Sequence, residues 1–263
     1  MNDTNNAQNG KVIFEVRGLV AEYGETRVLD GVSLQVFEGE VFVIIGASGS
    51  GKTTLLKHMC GLLQPAAGEI LYNGVDIAHM DEEQLARMLR KMGIAFQSSG
   101  LINSMTVGNN IALPLREYGE IDEALIEAIV RMKLSLVGLS AAENLMPEEL
   151  SGGMRKRAGL ARAIALEPPV VFFDEPSAGL DPITAAGVDE LVLDLRKLLG
   201  ITFVIVTHEL DSIKLVADRI IMLDRGNVIF TGTVQDAEQS GNARVRQFFE
   251  RRPDEFISER NIM

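Results

Sequence analysis

Residues 41–53 read VFVIIGASGSGKT. Val41–Ile45 is an unbroken apolar run, which suits a strand buried on both faces of a parallel sheet. Gly46-Ala47-Ser48-Gly49-Ser50-Gly51-Lys52-Thr53 then matches the pattern G-x-x-x-x-G-K-[ST]. Its glycines let the backbone wrap so that successive N–H groups point at one anion, and the following helix adds its dipole. Lys52 is placed to reach the β and γ phosphates, and the Thr53 hydroxyl to ligate Mg²⁺. An ordinary glycine-rich strand-to-helix turn needs no Lys-Thr pair. The stretch therefore predicts a buried strand, a phosphate cradle and a helix over Lys52–Leu63, stopped by Gln64-Pro65.

Upstream, Val12–Val36 runs apolar in short pieces broken by Gly18, Gly24 and Gly31, and predicts two or three strands. Downstream, a small strand is expected at Glu69–Tyr72, followed by the hairpin pair Asn73-Gly74. Asp81 caps a helix running to Lys91, and Gly93–Phe96 is a short strand. After the polar loop Gln97–Asn103 the character changes. From Thr106 to Leu150 nothing reads as a strand, and Thr106, Asp122 and Ser140 read as helix caps. This is a helical insert in an α/β chain. Ser151 caps a helix to Leu166. The alternation then resumes, with strands at Val170–Phe173, Ile201–Val206, Arg219–Leu223 and Val228–Phe230, and helices at Thr184–Leu199 and Leu210–Ala217.

Composition narrows the class. The chain has 263 residues, with 37 acids against 25 bases and a formal net charge of −12. A nucleic-acid binder usually carries a basic footprint, so no nucleic-acid partner is expected. Cys60 is the single cysteine, so an intrachain disulfide is excluded. No run approaches the ~20 apolar residues that span a bilayer. The polar N-terminus MNDTNNAQNG lacks the apolar centre of a signal peptide, and residues 1–11 read as a disordered tail.

Further motifs sit where chemistry needs them. Val170–Phe173 ends in Asp174-Glu175, and a parallel strand delivers its C-terminal end to the ligand crevice. Asp174 suits a second Mg²⁺ anchor, acting through water, and Glu175 suits a base for an attacking water. Ser151-Gly152-Gly153 opens a helix with bare N–H groups, a second anion site. One nucleotide does not need two such sites on one chain, so the second is expected to serve a nucleotide held by another copy. His208 follows the strand ending at Val206, Gln97 stands where the α/β part meets the insert, and Tyr23 is an aromatic able to stack on a base. A lone histidine is usually structural, but the place of His208 beside the other motifs favours function, whereas for Tyr23 a bland, partly buried tyrosine is an equal reading on the residues alone.

Gly46–Thr53, Gln97, Leu150–Gly153, Phe173–Glu175, Ser177–Asp181 and His208 occur in the order seen in ABC-type ATPases, and the resemblance covers Val12 to Gln239. Two segments, LMPEELSGGMRKRAGLARAIA (145–165) and Asp181-Pro182-Ile183-Thr184, resemble the ATPase subunits of Mla/Mce-type lipid-transport systems of diderm bacteria. Met154 stands where most ABC ATPases have Gln, a departure shared with that narrower group. The resemblance implies an α/β fold: a RecA-like P-loop core over 12–97 and 156–240, with an antiparallel β subdomain and an inserted helical subdomain over 98–155. It implies that Tyr23 stacks on adenine and that Thr54 joins Gly46–Thr53 at the phosphates. Gln97 would sense Mg²⁺ and the γ-phosphate, Asp181 would communicate across a dimer, and His208 would hold the γ-phosphate and orient the water.

The function expected is hydrolysis of ATP with Mg²⁺ by two copies paired head to tail. Each ATP lies between Gly46–Thr53 of one copy and Ser151–Gly153 of the other. Expected partners are integral membrane permease subunits, docked on the helical insert, with Mce-type substrate-binding and small accessory subunits beyond them. That places the chain on the cytoplasmic face of an inner membrane, energising phospholipid transport for outer-membrane lipid asymmetry. The alternative is a soluble ABC-type assembly ATPase without a permease. A DNA-repair ATPase is disfavoured by the acidic charge and by the short interval from Lys52 to Asp174, which leaves no room for a long coiled coil. The tail 241–263 carries Val245, Phe248 and Phe249 on one helical face, and Pro253 would end that helix. The face docks on its own α/β domain, or the tail is disordered, or the helix or Asp254–Met263 clasps the other subunit.

Overall fold

The computed structural model describes residues 10–118 and 121–253. Met1–Asn9 of the expected N-terminal tail and Asp254–Met263 lie outside the described residues.

The chain opens with a long antiparallel pair, β1 (Val12–Tyr23) and β2 (Thr26–Phe37), closed by the pairing of Tyr23 with Thr26 around Gly24. β3 (Val41–Gly46) follows, then α1 (Lys52–Met59). α1 stops short of the expected Leu63: Cys60 caps it and Gly61 turns left-handed at φ 66°, an earlier stop than the Gln64-Pro65 step. β4 (Ala67–Tyr72) and β5 (Val75–Asp76) form the expected hairpin, with Asn73 and Gly74 both at positive φ as a type I′ turn requires. Asp81 accepts a hydrogen bond from the Gln84 N–H and caps α2 (Glu82–Leu89), which leads to β6 (Met92–Ala95).

The insert supplies α3 (Val107–Tyr118) and α4 (Glu123–Leu136), the second capped by Asp122. Ser140 caps no helix; residues 140–146 form turns leading to a single 3₁₀ turn at Pro147–Glu149. The segment's backbone is used otherwise, since the Glu143 and Leu145 carbonyls accept from Gly108 and Val107 at the start of α3. α5 (Gly152–Ala163) begins at Ser151, whose hydroxyl accepts from the Met154 N–H. β7 (Val170–Asp174) and α6 (Pro182–Leu199) come next. α6 begins two residues before the expected Thr184 because Asp181 caps it and Pro182 fills its first position. β8 (Thr202–Val206), α7 (Leu210–Val216), β9 (Arg219–Asp224) and β10 (Asn227–Gly232) complete the alternation. Two short helices close the described chain: α8 (Val234–Glu238), capped by Thr233, and α9 (Ala243–Phe249). α8 was not anticipated from the sequence, and five residues are too few for a periodic pattern to show.

Two sheets result. One has the order β2-β1-β4-β5 and is antiparallel; the other runs β10-β9-β3-β8-β7-β6 and is parallel except for β10. The continuous apolar runs have a direct cause. Phe42 and Ile44 of β3 face one core with α1 and the antiparallel sheet, whereas Val41, Val43 and Ile45 face a second core with α5, α6 and α7. Both faces of the central strands are covered, so alternation vanishes from the sequence. A third core lies in the helical insert, around Ile111, Leu115, Val130 and Leu134, and α5 contributes Ala158 and Ala161 to it while Leu160 and Ile164 join the second. α5 thus runs unbroken between the two units. Among the described residues no helix is long and apolar enough to cross a membrane.

Candidate nucleotide site

The parallel sheet brings its motifs together by strand order. β3, β8 and β7 are neighbours, with Ile44 beside Val206 and Val206 beside Asp174. Their C-terminal ends deliver Gly46, the Thr207-His208 segment and Asp174-Glu175 to one edge, and β6, next to β7, delivers Gln97. This edge is the crevice where open α/β sheets hold ligands.

At the loop, two glycines are sterically required. A Cβ on Gly46 (φ 147°) would run into the Leu223 carbonyl, and one on Gly51 (φ 103°) would sit 2.6 Å from a Leu29 methyl. Gly51 is also the residue that opens α1, with no side chain capping the helix. The first N–H groups of α1 are therefore left for an anion. Ala47, Ser48 and Gly49 are exposed, whereas Ser50 is buried and its hydroxyl has no hydrogen-bond partner. The Lys52 ammonium curls back over the loop and donates to the carbonyls of Gly46 (2.9 Å) and Ala47 (3.0 Å). Burial pulls its pKa down, against the opposing pull of Glu175 and Asp174. Thr53 is exposed, and Thr54 is half-buried with its carbonyl 2.7 Å from His58 Nδ1.

The two acids are buried, at 6% exposure for Asp174 and 8% for Glu175. Asp174 Oδ1 and Glu175 Oε2 have no hydrogen-bond partner. Orphaned buried carboxylate oxygens are costly unless something meets them, and facing the phosphate loop they suit a cation and a water. Burial, and then the neighbouring Glu175 charge, raises the Asp174 pKa, with Lys156, Lys57 and Lys52 pulling the other way. Thr53 and Asp174 thus form a donor set of the kind Mg²⁺ takes, one hydroxyl and one carboxylate with phosphate and water completing it.

Glu175 is held on three sides. Its N–H donates to the Val206 carbonyl (2.8 Å), its own carbonyl accepts from Lys156, and its Oε1 lies 2.8 Å from His208 Nδ1. Its backbone sits at φ 50°, in the left-handed region that a non-glycine residue enters at a cost. His208, read from the sequence as a phosphate and water contact, is here a direct partner of Glu175, with its side chain still 54% exposed toward solvent.

The remaining expected residues are placed as follows. Ser151 is exposed at the start of α5, where its glycines also serve packing: a Cβ on Gly153 would collide with Thr184 of α6, and one on Gly152 would press on Leu180. Asp181 caps α6, accepting from the N–H groups of Ile183 and Thr184; the Thr184 side chain first, and then these backbone bonds, lower its pKa. Gln97 is exposed, and its carbonyl accepts from Lys156 at 2.6 Å. Tyr23 is 51% exposed at the tip of the β1–β2 hairpin, and β2 continues from there to Val28 and Leu29 against Gly51.

Sequence reasoning missed several supporting residues. Lys156 belongs to the basic run Arg155-Lys156-Arg157, which reads as a solvated face, yet helical spacing aligns it with Gly153 and Leu160 on the buried side. Asn110 ties down the loop after Gln97, accepting from the Ile102 N–H and donating to the carbonyls of Ile102, Met105 and Thr106. A buried chain joins Ser177 to Ser212 (3.2 Å) and Ser212 to Asp189 (2.6 Å), linking the segment after Glu175 to α6 and α7.

Comparison with known proteins agrees with this geometry. The family model described as ABC transporter matches residues 29–178. The phospholipid-transport ATP-binding protein MlaF of Haemophilus influenzae is 41% identical, over 92% of each chain. MlaF of Escherichia coli K12 is 40% identical, over 90% of this chain and 88% of that one. A protein described as the probable ribonucleotide transport ATP-binding protein mkl of Mycobacterium leprae is 41% identical, over 90% of this chain and 68% of its own length. A dimeric post-hydrolysis structure of the ATP-binding cassette MJ0796 with ADP and Pi superposes with a TM-score of 0.77 at 30% identity, over 84% of this chain and 98% of that one. The chain therefore belongs to the ABC transporter family, as one of its ATP-hydrolysing cassettes.

Proposed function

We propose that this cassette energises movement of phospholipid through a membrane permease, as a head-to-tail pair that hydrolyses two ATP molecules. The observation that carries the hydrolytic part is the cluster at the sheet edge. Gly46–Thr54 cradle the phosphates, with Lys52 leaving its loop carbonyls for the β and γ phosphates. Glu175 takes the proton of the attacking water at a carboxylate oxygen, and His208, 2.8 Å away, fixes that carboxylate and orients the water. Tyr23 stacks on the base. Bound through Thr53, Asp174 and the Gln97 side chain, Mg²⁺ supplies neutralisation of the phosphate charge. Ser151–Gly153 meet the γ-phosphate of the nucleotide held by the second copy, and Asp181 lies between the two sites.

Two relatives whose names state phospholipid transport, each covered over most of its length, support the cargo. The permease reading is supported by a largely apolar cleft of about 390 Å³ between the core and the helical insert, lined by Leu89, Phe96, Leu113 and Leu166 with Arg90, Glu117 and Arg162. In this reading a coupling segment from a membrane partner sits there, with the pair on the cytoplasmic face of the membrane. Mce-type and small accessory subunits belong to the same assembly. The test is reconstitution of the intact complex into vesicles carrying a labelled phospholipid. ATP should drive label movement with the wild-type chain, and Glu175→Gln should bind ATP but abolish movement. ATP-driven turnover without phospholipid movement rejects the cargo, and co-purification with soluble partners alone favours a soluble assembly ATPase.

A further inference from the structure

Lys156 is 6% exposed on α5, and among the described residues its ammonium forms no ion pair with a side-chain carboxylate. A buried ammonium costs several kcal/mol unless it is hydrogen-bonded, and a packed apolar side chain would hold α5 to the core without that cost. What the ammonium does instead is donate at 2.6 Å to the Gln97 carbonyl and at 2.6 Å to the Glu175 carbonyl. These are the two segments that leave β6 and β7 at the catalytic edge. Neither carbonyl belongs to α5, which also begins with Ser151 and reaches into the core of the helical insert.

We propose that Lys156 is a positioning residue for hydrolysis, a cross-link through which α5 sets the backbone of Glu175 and Gln97. The inference rests on the reading of Glu175 as the base. Three observations converge on it. Glu175 occupies a left-handed backbone conformation at φ 50°, so its peptide orientation is held by contacts rather than by preference. Its N–H is held by the Val206 carbonyl, and its carbonyl by Lys156 at 2.6 Å and by the Ala178 N–H at 3.4 Å. The third observation is connectivity: Ser151 and Lys156 lie five residues apart on one rigid segment, so the second anion site and the base carboxylate share a lever. Displacement of α5 with the helical insert moves the Glu175 carbonyl, and with it the carboxylate that meets the water.

The test compares Lys156→Met and Lys156→Gln in the intact complex with its membrane partner, measuring ATP affinity, KM and kcat. Lys156→Met keeps the volume and removes both bonds, so kcat should fall roughly 10–100-fold, as for small misplacements of a reacting group. KM and ATP affinity should stay within about threefold, because the phosphate cradle is untouched. Lys156→Gln keeps an amide donor on a shorter stem and should recover part of the lost kcat at unchanged KM. Wild-type kcat in Lys156→Met, or parallel loss of affinity and kcat in both variants, overturns the proposal. If Lys156→Met does not fold, Lys156→Gln decides: a lowered kcat at unchanged KM supports it, and an unchanged kcat overturns it. Glu175→Gln measured beside them separates the two readings: full activity there removes the base assignment, whatever Lys156 does.

Discussion

In the proposed hydrolysis Glu175 and Lys52 carry the chemistry, and each is held in place by contacts that residue type alone does not reveal. Lys52 donates to the carbonyls of Gly46 and Ala47, which ties its ammonium to the loop. Lys52→Ala should weaken ATP binding by about 1.5–3 kcal/mol, the usual worth of a charge-assisted hydrogen bond, and abolish turnover. Isothermal titration with a slowly hydrolysed ATP analogue, beside a turnover assay, checks both parts. The identities of Lys52, Thr53, Asp174, Glu175 and His208 were legible because each stands at a strand end or in a fixed spacing. Their supports were not. Lys156 hides in a basic run, Asn110 in an amphipathic helix, and the His208–Glu175 contact joins residues 33 apart whose meeting depends on β7 and β8 being neighbours.

Elements were legible wherever one signal dominated. β3 and β7 are apolar without interruption, and α2, α4 and α5 begin at Asp or Ser caps seen in the sequence. Errors arose where two signals competed. Gly61 ended α1 before the proline could, and Ser140 had the chemistry of a cap while its neighbours' carbonyls were claimed by α3. The junction between the two sheets depends on a buried pair that no local pattern shows. Glu40, 6% exposed, faces Arg219 of β9 at 3.1 Å, and the guanidinium also lies over the Phe37 and Phe42 rings. Burial raises the Glu40 pKa, while the Phe37 N–H and Arg219 lower it. Arg219→Met strands that carboxylate and should cost about 3 kcal/mol at neutral pH. A carboxyl with a raised folded pKa disfavours the native state as pH climbs through and above the ordinary carboxylate range, and not below it. The deficit of Arg219→Met should therefore shrink below pH ~4, where Glu40 is protonated in both states. Urea unfolding of both proteins across that range checks the sign, and a deficit independent of pH assigns the loss to the aromatic packing instead.

Across the whole molecule, two of the three cores share α5. The helical insert has its own apolar interior yet shares α5 with the α/β core, so the Ser151 end and the catalytic edge belong to one mechanical unit. Of the three readings of the tail, packing on its own domain holds for α9: Val245 is fully buried, and Phe248 and Phe249 pack half-buried on the second core. α9 ends at Phe249, ahead of Pro253, and faces the phosphate loop across a cleft of about 450 Å³ that Ala47, Met222 and Asp224 line with Arg244 and Phe248. The other element of a clasp, Asp254–Met263, lies outside the described residues. The account's central claim is that each nucleotide is enclosed by Gly46–Thr53 of one copy and Ser151–Gly153 of the other. Ser151→Arg loses a helix cap worth about 1 kcal/mol and puts a bulky cation where the partner's γ-phosphate must sit. Alone it should bind ATP nearly normally and not hydrolyse it, and Lys52→Ala alone should not hydrolyse it either. A mixed pair contains one intact composite site, formed by the loop of the Ser151→Arg copy and the α5 terminus of the Lys52→Ala copy. The decisive measurement is the ATPase activity of these two variants alone and mixed in equal amounts with the membrane partner. Activity that appears only on mixing is the predicted result, and normal turnover by Ser151→Arg alone would contradict the account, because the site would then be complete within one chain.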